Sequence, residues 1–87
     1  MPLFVATVEI HLKPGALDPQ GQAVGAALLS MGHAGLRQVR VGKHVRLQLE
    51  APDGAAAEAA VRRMCEELLV SPVMETARIA IETAVAG

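Results

Sequence analysis

Three histidines, one cysteine and a lysine in a Lys-Pro-Gly run are among the side chains of this 87-residue sequence with the chemistry to act on a substrate. A nucleophile needs a base within hydrogen-bond reach and a third group that orients the base. His11 falls on the outward face of a strand pattern, and His33 and His44 fall in turns, so no two of them are set up as partners. They read as surface histidines. Cys65 lies on an apolar helical stripe, where a cysteine behaves as a small buried hydrophobe. A single cysteine permits neither an internal disulfide nor a cysteine-pair metal site. Lys13-Pro14-Gly15 has the lysine and one glycine of a phosphate loop, but lacks the remaining glycine spacing and the Lys-Ser/Thr that completes one. The sequence therefore offers no catalytic residues and no metal ligands.

What is left is a corner and a tip. In residues 12–21 Pro14-Gly15 stops a strand, Asp18 reads as a helix N-cap, and Pro19 occupies the first helical position, where its missing N–H costs nothing. Gly42-Lys43-His44 reads as the tip of a hairpin. Each is rigid and carries a cation. On the residues alone, these positions either build turns and nothing else or present docking surfaces.

The elements that position them follow from periodicity. Between residues 3 and 12, Phe4, Ala6, Val8, Ile10 and Leu12 share one face of a strand, while Leu3, Val5, Thr7, Glu9 and His11 share the other. Val24, Ala27, Leu28 and Met31 form a helical stripe over about residues 19–31, with Gly32 as the C-terminal cap. Gly21 and Gly25 weaken that helix by about 1 kcal/mol each relative to alanine. Either close backbone approach favours them or they are drift in an Ala/Gly-rich chain. Residues 36–41 and 45–50 read as two strands joined by a three-residue loop, pairing Val41 with Val45 and Val39 with Leu47 and leaving Arg40 opposite Arg46. Asp53 caps a second helix with Ala57, Val61, Met64, Cys65 and Leu68 on one stripe. Ser71-Pro72 ends it, and residues 76–83 form a last strand with Ala77, Ile79 and Ile81 inward, ahead of an apolar end at 83–87.

The order β-α-β-β-α-β predicts an α+β fold of the ferredoxin-like, split-βαβ kind: a four-stranded antiparallel sheet with two helices on one face. The helix-free face would hold Leu3, Val5, Leu36 and Ala80, and self-association through it, as a homodimer or dimer of dimers, is the simplest way to cover them. Composition points the same way. Apolar residues make up 52% of the sequence, more than one thin core can hide at this length.

Net charge is −1, so no electrostatic pull toward nucleic acid or an anionic membrane is expected. Phe4 is the sole aromatic, which removes the stacking platforms of RNA-reading sheets. No apolar run reaches the roughly 18 residues of a membrane span, and the first ten residues lack the basic start of a signal peptide. A cytoplasmic setting is expected. The same topology serves small phosphatases and metal carriers, but the former need an asparagine, absent here, and the latter paired cysteines.

Three runs, LKPGALDPQG at 12–21, VRVGK at 39–43 and MCEELLVSPV at 64–73, stand in the order in which the PurS family carries similar motifs. The sequence departs from that pattern at Ser71, where asparagine is frequent, and at Ala77, where an aromatic is common. The resemblance implies a single PurS-like domain over residues 1–87, acting as the small non-catalytic subunit of phosphoribosylformylglycinamidine synthase in de novo purine biosynthesis. In that family the small subunit bridges the glutaminase subunit, which releases ammonia, and the large synthetase subunit, which uses ATP to amidate formylglycinamide ribonucleotide. The chain itself would bind no cofactor, while the complex uses ATP and magnesium. Carried over, Lys13, Pro14, Gly15, Asp18, Pro19, Gly21, Gly42 and Lys43 become structural and docking positions. The competing reading is a free-standing ACT-type ligand-binding regulatory domain, which shares the βαββαβ order.

Overall fold

A computed structural model describes residues 1–84; the end of the chain at 85–87, read above as apolar, lies outside the described residues. The strict alternation of the first segment gives β1 (Leu3–Leu12), with Phe4, Ala6, Val8 and Ile10 all buried on one face. β1 is the central strand. On one side it pairs antiparallel with β2 (Lys43–Glu50), Val8 opposite Val45 and Ala6 opposite Leu47. On the other it pairs antiparallel with β3 (Glu75–Thr83), Val8 opposite Ile79 and Ala6 opposite Ile81.

The second helix forms where its cap predicts, and of its expected stripe Ala57, Val61 and Cys65 are buried while Met64 and Leu68 are exposed. α2 (Gly54–Met64) starts at Asp53, whose carboxylate accepts the Ala56 N–H at 2.8 Å, and continues into one wide π-helical turn over Cys65–Leu69. Its buried side chains Val61 and Cys65 pack on Ala6, Val8 and Ile10, and Ala57 packs with Phe4 and Ala51. α2 lies over β1 and β3 and makes no comparable contact with β2. Val45, Leu47 and Leu49, on the inward side of β2, are therefore only half-buried.

The fourth strand expected from the sequence at residues 36–41 does not form: among the described residues the sheet has three strands, in the order β2-β1-β3. Residues 36–41 form no strand, and Gly42-Lys43-His44 is no hairpin tip, because Lys43 and His44 already belong to β2, opposite Ile10 and Glu9. What takes residues 36–41 away is a set of bonds to the other side of the chain. The Val41 N–H goes to the Asp18 carboxylate at 2.8 Å, and Val39 lies against Gly21 and Gly25 of α1 (Pro19–Ser30). Arg40, expected opposite Arg46, instead reaches the carbonyls of Lys13 and Ala16.

α1 itself ends as expected, with Gly32 at φ +102° just past its C-terminus. It does not pack on the sheet, and Gly21 is its one buried residue. Together α1 and residues 36–41 form an arm standing off the sheet and its α2 layer. The arm stretches the chain to 51 Å, and the radius of gyration is 16.8 Å, against about 12 Å for a compact chain of this length.

Candidate functional site

The corner at the end of β1 and the residues just before β2 meet in one elbow at the root of the arm. Lys13 extends β1 by giving its backbone N–H to Met74 at 2.7 Å, and its ammonium donates to the Pro72 carbonyl at 2.9 Å. A tight turn follows, closed by the Ala16 N–H on the Lys13 carbonyl at 2.9 Å, with Pro14 and Gly15 exposed at its tip. Open space surrounds Gly15, so a side chain would fit there.

Asp18 is the centre of the elbow. Its carboxylate caps α1 by accepting the Gly21 N–H at 2.8 Å, while its second oxygen accepts the Val41 N–H, also at 2.8 Å. The residue is 5% exposed. The Val41 and Gly21 amides, with the Arg40 charge nearby, hold its carboxyl below the ordinary carboxylate range. Arg40 binds the other wall, its Nη2 donating to the Lys13 carbonyl at 2.9 Å and its Nη1 to the Ala16 carbonyl at 3.1 Å.

Two glycines let the backbones meet. A Cβ on Gly21 would stand against the Asp18 carboxylate and 2.5 Å from the Val39 carbonyl oxygen, and one on Gly42 would stand 2.5 Å from the Ile10 carbonyl oxygen. Gly25 differs, because the nearest atom to its would-be Cβ is a Val39 methyl carbon at 3.6 Å, an ordinary contact. Beside the elbow, Lys43 reaches across β1 to Glu75 at 3.3 Å. Glu75 also accepts the Ser71 N–H at 2.8 Å, and that bond, with Lys43, keeps its carboxyl low.

Of the eight positions singled out in the sequence, Lys13, Asp18, Gly21, Gly42 and Lys43 converge on this joint, Pro19 opens α1, and Pro14 and Gly15 sit at the exposed turn. Arg40 and Glu75 were missed as parts of it. The signal for Arg40 was its place inside the VRVGK run, whereas nothing local marks Glu75. The Asp18 and Arg40 side chains are engaged with backbone. Burial pushes the Cys65 thiol up, so it stays protonated and unreactive. Among the described residues no cluster of three metal-ligating side chains occurs.

Leu3, Val5 and Ala80 lie on the helix-free face of the sheet, but Leu36 is outside the sheet altogether. The register also places Glu9, His44, Arg46 and Arg78 on that face. Leu3 is exposed there, but most of the large exposed apolar side chains lie elsewhere, at Leu17, Val24, Leu29 and Met31 on and around α1, and at Leu68, Val73 and Met74 beyond α2.

The fold and the site define a small α+β protein whose projecting arm is held at its root by Asp18 and Arg40. Residues 5–83 match the family model described as PurS, phosphoribosylformylglycinamidine (FGAM) synthase. The chain belongs to the PurS family, the PurS subunit of phosphoribosylformylglycinamidine synthase. It is 39% identical over 84 residues to subunit PurS of Bacillus subtilis, covering 97% of this chain and 99% of that one. The solved structure of Thermus thermophilus PurS superposes with a TM-score of 0.84 at 38% identity, covering 97% of this chain and all of that one. A chain in the structure of PurLQS from Thermotoga maritima superposes with a TM-score of 0.84 at 30% identity, covering 94% and 100%. The match decides for the synthase subunit over the ACT-type regulatory domain.

Proposed function

We propose that this non-catalytic subunit joins the glutaminase subunit to the ATP-using synthetase subunit, so that ammonia released from glutamine reaches the amidation of formylglycinamide ribonucleotide. The observation that carries the reading is the full-length likeness to a chain of the Thermotoga PurLQS assembly. The chain works in the cytoplasm, alongside the subunits it joins. It binds no cofactor, and the ATP and magnesium of the reaction belong to the synthetase subunit.

In this reading the exposed turn at Pro14-Gly15 and the cations Lys13 and Lys43 are the docking positions, while Asp18, Pro19, Gly21 and Gly42 hold the turn in place. The chain self-associates as a homodimer or dimer of dimers, which removes part of its exposed apolar surface from water. Reconstitution tests the bridge. Glutamine-dependent synthesis should require all three subunits, whereas ammonia-dependent synthesis by the large subunit should proceed at the same rate without this chain. Equal glutamine-dependent rates with and without it would refute the reading.

A further inference from the structure

β3 bonds to β1 along one side and, among the described residues, to no strand along the other. The bonds at the two ends of that ladder fix which backbone groups are spare. Lys13 gives its N–H to the Met74 carbonyl and Ala84 gives its N–H to the Leu3 carbonyl, so the even-numbered residues of β3 turn toward β1. Ala77, Ile79 and Ile81 therefore turn their N–H and C=O groups outward. A bare edge is a template for another chain unless proline, lysine or a bulge blunts it. The β3 sequence ETARIAIET has neither proline nor lysine, and its register with β1 runs without a break.

A notch of about 150 Å³ lies on the same edge, where α2 gives way to its π-helical turn, lined by Cys65, Val70, Pro72, Ala77 and Ile79. A void of that size accepts a benzene-sized ring. Ala77 and Ile79 thus supply both the outward backbone groups and the wall of the notch. In a strand laid along this edge, the residue opposite Ala77 carries its side chain on the same sheet face as Ala77, over the notch. Two charged side chains border the notch as well. Arg62 is paired with Glu58 at 2.7 Å, whereas Glu66 makes no ion pair among the described residues. The strand that fits has an apolar or aromatic anchor with a cation near it.

The notch is continuous with the docking positions of the bridge. Pro72 lines it, and the Pro72 carbonyl receives the Lys13 ammonium at 2.9 Å. Apolar side chains stand in water along the same stretch, Leu68 being 85% and Val73 80% exposed. We propose that the synthetase subunit lays an extended segment along the β3 edge, bonded to the backbone of Ala77, Ile79 and Ile81, with one apolar or aromatic side chain seated in the notch and a cation facing Glu66. Backbone bonds supply the affinity of such an added strand and the notch its specificity. This rests on the bridging role proposed above and names its surface and mode of contact.

The test is amide hydrogen exchange over residues 75–83 of the full chain, alone and with each partner subunit added, together with titration of the synthetase subunit by wild type and by Ala77→Pro. The Ala77 N–H faces outward, so proline there removes no ladder bond of the folded chain and takes away a donor needed by the added strand. The outward amides should exchange at least about tenfold slower with the synthetase subunit than without it. Ala77→Pro should bind that subunit at least about tenfold more weakly while its circular dichroism and solution mass match wild type. The exchange on wild type decides even where the proline variant fails to fold. Synthetase binding that leaves these amides free, or an unchanged affinity of a folded Ala77→Pro, would overturn strand addition and leave the bridge standing. Protection already present in the chain alone, or brought by the glutaminase subunit only, would overturn the assignment to the synthetase subunit. Glutamine-dependent synthesis that needs no copy of this chain would overturn the bridge and the added strand together.

Discussion

The Asp18 carboxylate and the Val41 amide, 23 positions apart in sequence, meet at 2.8 Å, and that bond, with those of Arg40, holds residues 36–41 beside α1. One carboxylate thereby fixes both the start of α1 and the end of the stretch that runs back beside it. Asp53 makes a useful control, because it caps α2 through the Ala56 N–H but holds nothing distant.

The two caps should differ in what they cost to remove. Asp53→Ala loses an exposed N-cap worth about 1 kcal/mol. Asp18→Ala loses a cap and also strips the partner from the Val41 N–H, so its melting temperature should fall further, by roughly 5 °C or more below wild type. Thermal denaturation of the pair checks this, and equal losses would mean that the Val41 bond contributes nothing.

The sequence carries most of these features in local signals, and residues 36–41 are the exception. Asp18-Pro19, Gly32 and Asp53 were readable because caps act on amides two or three residues away. β1 was readable because its alternation is unbroken. Residues 36–41 were misplaced because Val39 and Val41 alternate as they would in a strand, while the bonds that override this come from Asp18 and from the carbonyls of Lys13 and Ala16, far off in sequence. Gly42-Lys43-His44 reads as a hairpin tip in the sequence, yet its glycine serves a close approach to the Ile10 carbonyl and its lysine and histidine start β2. The helix-weakening glycines were the available clue. Gly21 lies where the Val39 carbonyl reaches α1.

Those glycines predict opposite signs for one substitution. Gly25→Ala meets only a methyl carbon at 3.6 Å and should stabilise the helix by up to about 1 kcal/mol. Gly21→Ala would press on the Asp18 carboxylate and the Val39 carbonyl, so it should destabilise. Denaturant midpoints of the two variants against wild type give the comparison, and a stabilising Gly21→Ala would show that the approach there is loose.

Acid should loosen the root of the arm and the Lys43 contact together. Asp18 and Glu75 both sit below their ordinary values of 3.8 and 4.5, held there chiefly by amides of Val41 and Ser71. A depressed carboxylate contributes stability that is fully present above its unfolded value and is lost as pH falls through its lower folded value. The melting temperature should therefore hold near neutrality and drop on acidification below about pH 4. Asp18→Asn and Glu75→Gln should each start lower and fall less steeply over that range. A slope unchanged in both variants would exclude these carboxylates as its source.

Lys13 separates holding from docking. Its ammonium touches the chain through one bond, to the Pro72 carbonyl at 2.9 Å, in an exposed setting, and its backbone N–H goes to Met74 whatever the side chain. Lys13→Ala should thus move stability by no more than about 0.5 kcal/mol and leave the solution mass unchanged. If the lysine docks onto the synthetase, the variant should lower glutamine-dependent synthesis by the reconstituted complex at limiting subunit concentrations. Lys13→Arg, which keeps the charge, should recover much of the rate. Ammonia-dependent synthesis should be the same for all three proteins, since that route needs neither glutaminase nor bridge. Equal glutamine-dependent rates for Lys13→Ala and wild type would assign this lysine to the Pro72 contact alone.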